Sequence, residues 1–218
     1  PDVVPVFSAE ESLKQFKVAP GFRVELVASE PMVKDPVFID WDDQGRMWVG
    51  ELRTYMRDLD GTGENERMSR VMVLEDTDKD GVMDKATPFV DDMVNVRCIA
   101  FVEDGVLVVE SGALWLCKDK DGDLRCDERE KLIDFATAAH SNIEHAENAL
   151  HFALDNWMYN SKSSRKLAWR KGKLIEMPAK ARGQWGMGSD AYGRLYFNAN
   201  SNWFEVDWAT YDRQWPSK

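Results

Sequence analysis

The sequence predicts an all-β fold, a β-propeller with about four blades visible and a short N-terminal helix, on three observations. A unit of strand, acidic turn and strand returns four times along the chain. Its copies lie roughly 40 to 60 residues apart, the spacing that a four-stranded blade needs. The crossover helices and the GxGxxG or GxxxxGK(S/T) loops expected of an α/β fold are missing.

The opening is Pro-containing and extended as far as Ser8. Ser8-Ala9-Glu10-Glu11 then forms a capping box, in which Ser and a Glu three residues on satisfy each other's backbone N–H groups. Leu13 and Phe16 give a short apolar face, and Pro20-Gly21 stops the helix. The first copy of the repeat is Phe38–Gly50, with its turn at Asp42-Asp43-Gln44-Gly45. The second is Ile99–Val109, turning at Glu103-Asp104-Gly105. Leu150–Tyr159 turns at Asp155-Asn156, and Met187–Phe197 turns at Asp190–Gly193. Asp-Gly and Asp-Asn pairs between apolar runs are strong hairpin signals. The expected organisation is an N-terminal segment over 1–20, blades over 21–206 and a tail over 207–218. That tail does not read as a closing strand, so the chain is expected to be part of a ring of about six to seven blades.

The bulk composition narrows the function classes. The 218 residues hold 28 Lys and Arg against 39 Asp and Glu, a net charge of −11 that repels nucleic-acid phosphates. Nine Trp, ten Phe and five Tyr are too many for a disordered acidic tail. No run of 18 apolar residues is present to span a bilayer. No basic and apolar leader opens the chain, so any export signal has been removed or never existed. The three cysteines, Cys98, Cys117 and Cys126, include no CxxC or CxxCH, which excludes covalent c-type haem and a four-cysteine zinc site within these residues. Cys117 and Cys126 flank an Asp-rich loop where paired strands would bring them together, either as a disulfide suited to an oxidising compartment or as buried thiols.

Two acidic loops have the pattern of calcium binding. Asp76, Asp78, Asp80 and Asp84 stand at positions 1, 3, 5 and 9, with Gly81 at position 6. Alternating hard oxygen ligands and a Gly for the sharp turn are how a loop wraps Ca²⁺, though Thr87 at position 12 makes this an incomplete EF-hand loop. The second loop, 43 residues later, carries Asp119, Asp121, Asp123 and Asp127, with Leu124 in place of the Gly. The alternative is that Asp and Gly simply suit hairpin turns.

All three histidines, His140, His145 and His151, fall in one stretch, with spacing that matches no HExxH or HxH zinc pattern. His151 alternates with Leu150 and Phe152 and is expected on one face of a strand. His145 lies in the loop before that strand with Glu144, Glu147 and Asn148, where a side chain can reach a propeller's central channel.

Phe16-Lys17-Val18-Ala19-Pro20-Gly21-Phe22-Arg23-Val24-Glu25-Leu26-Val27-Ala28-Ser29-Glu30-Pro31 resembles the start of a family of planctomycete and verrucomicrobial proteins. These are described as membrane-bound dehydrogenases, with a propeller often followed by helical repeats and a haem-binding CxxCH domain. Leu74–Gly81, Glu144–Leu150, Leu154–Tyr159, Arg182–Gly186 and Tyr192–Tyr196 continue the resemblance, which extends to about Asn202; the tail from Trp203 departs from it. A wider similarity is to soluble sugar dehydrogenases that use pyrroloquinoline quinone (PQQ) on a six-bladed propeller. In these a His lies five residues before the Leu of an LxFxxDxxxY strand, the spacing of His145 to Leu150. The resemblance implies His145 as catalytic base, with Arg182 and Gln184 binding the cofactor in a segment where Gly183 and Gln184 replace Asn and Pro. A neutral imidazole suits proton abstraction near pH 7, and a guanidinium can hold a carboxylate through two hydrogen bonds.

The expected function is therefore that of an exported, periplasmic or secreted, PQQ-dependent sugar or alcohol dehydrogenase. It would oxidise a carbohydrate or other small molecule and pass electrons to a cytochrome domain; a second chain could complete the ring. The alternative is a non-catalytic, calcium-stapled propeller that binds a glycan or a protein. Spare cations are few, namely Arg53, Arg97 and Lys162, which weighs against a complete quinone site. The aromatics Trp157, Tyr159, Trp185, Tyr192 and Tyr196 would stack on a sugar or, as is commoner, fill the space between blades. A metal-dependent hydrolase built on His145, Glu144 and Glu147 has no motif behind it.

Overall fold

A computed structural model of the protein describes residues 5–134 and 145–208. The helix α1 (Ala9–Leu13) carries the capping box, with Glu11 N–H donating to Ser8 Oγ at 3.2 Å and Ser8 N–H to Glu11 Oε2 at 2.8 Å. It ends at Leu13, well before Pro20-Gly21, because none of its five residues is buried and nothing holds a further turn.

Fifteen strands among the described residues form four antiparallel sheets in chain order. The first sheet is β1 (Pro36–Trp41), β2 (Met47–Glu51), β3 (Ser69–Glu75) and β4 (Lys85–Met93). The second is β5 (Cys98–Val102), β6 (Gly105–Glu110), β7 (Ala113–Lys118) and β8 (Glu128–Asp134). The third is β9 (Asn148–Phe152), β10 (Met158–Ser161), β11 (Arg165–Arg170) and β12 (Lys173–Pro178). The fourth has three strands, β13 (Gly188–Ser189), β14 (Leu195–Phe197) and β15 (Glu205–Asp207). Each strand pairs with its neighbour in sequence, as in propeller blades. Asp207, read from sequence as the start of a tail, is the last residue of β15.

The sheets stack face to face, and the sequence of β6 shows why. Its run Val106-Leu107-Val108-Val109 is apolar at consecutive positions because both of its faces are covered. Val106 and Val108 join Trp48, Val71, Val73 and Phe89 of the first sheet, while Leu107 and Val109 join Leu150, Met158 and Leu167 of the third. A further cluster of Ala153, Tyr159, Leu195 and Phe197 joins the third sheet to the fourth. Among the described residues no such cluster joins the fourth sheet back to the first. The first strands gather toward a common axis: β5 packs beside β9, and Asp40 on β1 opposes the effect of burial, which lowers the pKa of His151 on β9.

One device recurs in three of the four turns. Asp42 accepts the N–H groups of Gln44 and Arg46 and binds Arg46 Nε (2.6 Å) and Trp48 Nε1 (2.9 Å). Asp190 does the same for Tyr192 and Arg194 N–H, Arg194 Nε (2.5 Å) and Tyr196 OH (2.9 Å). Asp155 accepts Trp157 N–H and the hydroxyl of Tyr159 (2.7 Å). One carboxylate thus closes the turn and holds an aromatic ring, which at Trp48 and Tyr159 packs against the next sheet. Trp48 is buried edge-on against Phe89 and Phe101, and truncating it to Ala would cost roughly 3–5 kcal/mol. Tyr159 is likewise buried under the fourth sheet. Gly50 is required beside this core, since a Cβ there would sit 1.9 Å from the Phe38 ring.

Candidate functional site

Two segments meet at one end of the third and fourth sheets: 145–148, which leads into β9, and 182–186, which links β12 to β13. Buried Asn148 ties them. Its Nδ2 donates to the carbonyls of Ala146 (3.1 Å) and Gln184 (2.8 Å), and its Oδ1 accepts Gly186 N–H at 2.8 Å. Ser161 on β10 donates to the Gly186 carbonyl at 2.9 Å and pairs through its backbone with Arg182. Gln184 is then fixed from both sides. Its N–H donates to Asn198 O at 3.0 Å, and its Oε1 accepts Asn200 N–H at 3.3 Å. That leaves the Gln184 Nε2 amide 3.3 Å from His145 Nε2. An amide that donates here sets His145 in the Nδ1–H tautomer, with the Nε2 lone pair toward Gln184.

Of the sequence-predicted site residues, His145 and Gln184 are brought together, while Arg182 is turned to other work. Its guanidinium is 4% exposed, pairs with Asp207 Oδ2 at 2.5 Å, donates to Lys180 O at 2.9 Å and lies 4.6 Å above the Tyr159 ring. Among the other cations, Arg53 sits 3.6 Å from Glu51. Arg97, in the short link between β4 and β5, has its guanidinium 5.2 Å over the ring of Trp185, the residue after Gln184. Arg97 is 3% exposed, and burial, against Cys98 and Tyr55, lowers its pKa to about 10. Sequence named Arg97 only as a spare cation; its partner lies too far along the chain for any local signal to show.

Glu147 lies beside this patch, 3.5 Å from Arg165 Nε. Burial raises its pKa, and Arg165, Ser163 and Asn160 only partly offset that. His140 and Glu144 lie outside the described residues. Of the aromatics, Tyr159 packs between sheets, and Trp157 has Lys166 and Arg170 over its ring at 5.0 and 4.9 Å. Tyr196 stacks on Phe204 at 5.5 Å, while Trp185 and Tyr192 keep exposed surface.

The acidic loops lie elsewhere, at the β3–β4 and β7–β8 turns. The carboxylate oxygens of Asp76, Asp78 and Asp84 lie within 4.8 Å of one another, and so do those of Asp119, Asp121 and Asp127. Asp80 and Asp123 stand outside these groups; they accept the N–H groups of Val82 and Arg125 at 2.8 and 2.9 Å. Neither group includes a histidine.

The sequence matches a family described as a domain of unknown function, DUF7133, over residues 8–216. The chain belongs to this family. No curated protein matches the sequence. In fold, this DUF7133 chain is similar to the PQQ domain, in its holo form, of a pyranose dehydrogenase from Coprinopsis cinerea. The TM-score is 0.52 at 12% identity, over 83% of this chain and 46% of that one. A luciferin-regenerating enzyme matches with a TM-score of 0.48 at 11% identity, over 74% of this chain and 52% of that one. The DUF7133 chain thus spans about half the length of either. At such identity the first likeness speaks for a propeller-type arrangement of sheets and for nothing beyond the fold. No helix among the described residues is long and apolar enough to cross a membrane.

Proposed function

We propose that the chain forms part of the propeller of an exported, quinone-dependent dehydrogenase that oxidises a sugar or alcohol hydroxyl. The observation that carries this reading is that the consecutive residues Gln184 and Trp185 meet His145 and Arg97 respectively, on a fold similar to a PQQ domain. There a proton acceptor, His145, has its lone pair toward a hydrogen-bond donor, the Gln184 amide. The buried Arg97 guanidinium stands above an indole that is 43% exposed.

Arg182 does not fit the role of holding a quinone carboxylate, because Asp207, Lys180 and Tyr159 already occupy its faces. We place that role on Arg97, whose guanidinium stands over the partly exposed ring of Trp185, a flat surface beside it. A bound PQQ would supply the acceptor for a hydride. The chain's own part is to receive the hydroxyl proton at His145 Nε2 when a substrate hydroxyl displaces the Gln184 amide. Asn148 and Ser161 hold the two segments in place while it does so. The resemblance of Phe16–Pro31 to proteins with a haem domain supports a cytochrome as the electron acceptor, in a periplasmic or secreted setting.

Two further parts of the reading rest on the same frame. Calcium in the loops at Asp76, Asp78, Asp84 and Asp119, Asp121, Asp127 would offset carboxylates gathered within 4.8 Å and staple the hairpin tips. A larger ring is supported by Tyr196, the third of the Asp-anchored aromatics. Trp48 and Tyr159 lie under a following sheet, whereas among the described residues the Tyr196 ring stacks on Phe204, just before β15, and joins no cluster with a further sheet.

Isothermal titration of the metal-stripped chain with PQQ, with and without Ca²⁺, tests the reading. The expected result is saturable binding that is weakened at least tenfold in Arg97→Ala and retained in His145→Ala. No heat of quinone binding at any concentration, with calcium binding intact, would overturn it. That outcome would favour a calcium-stapled propeller that recognises a glycan or protein.

A further inference from the structure

We propose that Cys117 and Cys126 are a thiol–disulfide exchange site, with Cys126 as the attacking sulfur and Cys117 as the resolving one, that clips the base of the second acidic loop. In the first sheet the positions that match Cys117 and Cys126 are Leu74 and Met83, both buried in one apolar cluster. The backbone is the same in both places: Met83 N–H donates to Val27 O at 2.8 Å, and Cys126 N–H to Phe89 O at 2.7 Å. The fold therefore presses this pair of side chains together wherever the loop occurs. In the second sheet that pair is two thiols, which contact one another inside the cluster of Trp48, Phe89 and Val106.

The two sulfurs differ in access. Cys117 is fully buried on β7, whereas Cys126 is half-buried and lines an open cavity of about 500 Å³ with Pro88, Asp91, Arg125 and Arg129. An external disulfide can reach only a sulfur that solvent reaches, so Cys126 is placed to attack first and Cys117, in contact behind it, to resolve. Cys98 is buried elsewhere, against the third sheet, and burial raises its pKa; it takes no part.

The chemistry balances with an external disulfide such as oxidised glutathione. The Cys126 thiolate attacks one sulfur of the donor, its S–S bond breaks, and one thiolate leaves. Cys117 then gives its proton to solvent and attacks Cys126 Sγ, expelling the second thiolate. The protein dithiol is oxidised by two electrons, and the donor is reduced to two thiols.

The test uses the full chain in glutathione redox buffers, followed by alkylation under native conditions and peptide mass mapping. The expected result is an internal Cys117–Cys126 bond in oxidising buffer, with Cys98 modified only after unfolding. Cys117→Ala is expected to trap Cys126 as a mixed disulfide with glutathione, and Cys126→Ser to leave Cys117 unmodified. Two free thiols in the most oxidising buffer would overturn the proposal. So would a stable glutathione adduct on the wild-type Cys126 with no internal bond. Because the wild-type reading needs no substitution, a variant that fails to fold leaves the test standing.

Discussion

The loops Asp76–Asp84 and Asp119–Asp127 run the same backbone course with different residues. In each, the first Asp accepts two amides: Asp80 and Gly81 in one, Gly122 and Leu124 in the other. In each, the third residue accepts the fifth at 3.3 Å, and the ninth accepts the N–H of the second. Each also has two residues with positive φ, at positions 4 and 6. In the first loop these are Lys79 (φ 63°) and Gly81 (φ 95°), and in the second Gly122 (φ 83°) and Leu124 (φ 67°). The glycine has changed places and the loop has not. The difference teaches that the carboxylates, which gather the amides, fix the turn, and that glycine only eases one of its two left-handed residues.

The largest break in the equivalence is at the buried pair beneath each loop. Leu74 is fully buried, and Leu74→Ala is expected to cost about 2–5 kcal/mol through the cavity it leaves. Cys117 is as deeply buried but much smaller, so Cys117→Ala under reducing conditions should cost about 1 kcal/mol. Urea unfolding of both variants checks this. Equal losses would show that the two sites are not packed alike. Oxidation then separates the loops further, since a bond closing about 10 residues should add roughly 2–3 kcal/mol in the second sheet alone.

Cation binding is the next term. Calcium at about a hundredfold excess over its dissociation constant should stabilise the chain by about 2.7 kcal/mol for each loop that binds it. Asp84→Asn and Asp127→Asn should each abolish one of two sites in a calcium titration. Unchanged stoichiometry in both variants would sink the calcium reading. Acid gives the sign independently. The Gly81 N–H bond, against slight burial, holds the Asp76 carboxyl below its ordinary value. Its contribution is therefore complete above about pH 4, the unfolded value, and is lost as pH falls further.

How far the sequence shows all this depends on distance along the chain. Asp42-Asp43-Gln44-Gly45-Arg46-Met47-Trp48 contains its whole device within seven residues, so the repeat, the hairpins and the four sheets can be read directly. The contacts that define the candidate site are remote. Gln184 reaches His145 across 39 residues, and Asp207 takes up Arg182 from β15. Nothing local distinguishes an Arg that holds a ligand from one that braces a strand. For that reason neither the brace that Arg182 makes with Asp207 nor the approach of Arg97 to Trp185 can be read from the sequence. Gly81 at position 6 is plain in the sequence, whereas the left-handed residue at position 4, Lys79, carries no local mark.

The smallest effect tests that last point. Lys79 adopts a left-handed conformation that costs a non-glycine residue roughly 1–2 kcal/mol. Lys79→Gly removes that strain but adds freedom to the unfolded chain, so a net gain of up to about 1 kcal/mol is expected. Gly122→Ala, at the matching position, should lose about 1 kcal/mol although no atom stands within 4 Å of the new Cβ. Leu124→Gly should come out near neutral, because Leu124 packs against the Trp48 cluster and relief of strain is offset by lost burial. Thermal unfolding of the three variants decides it. If Lys79→Gly destabilises while Gly122→Ala is silent, the two loops do not share a backbone, and their equivalence fails at its base.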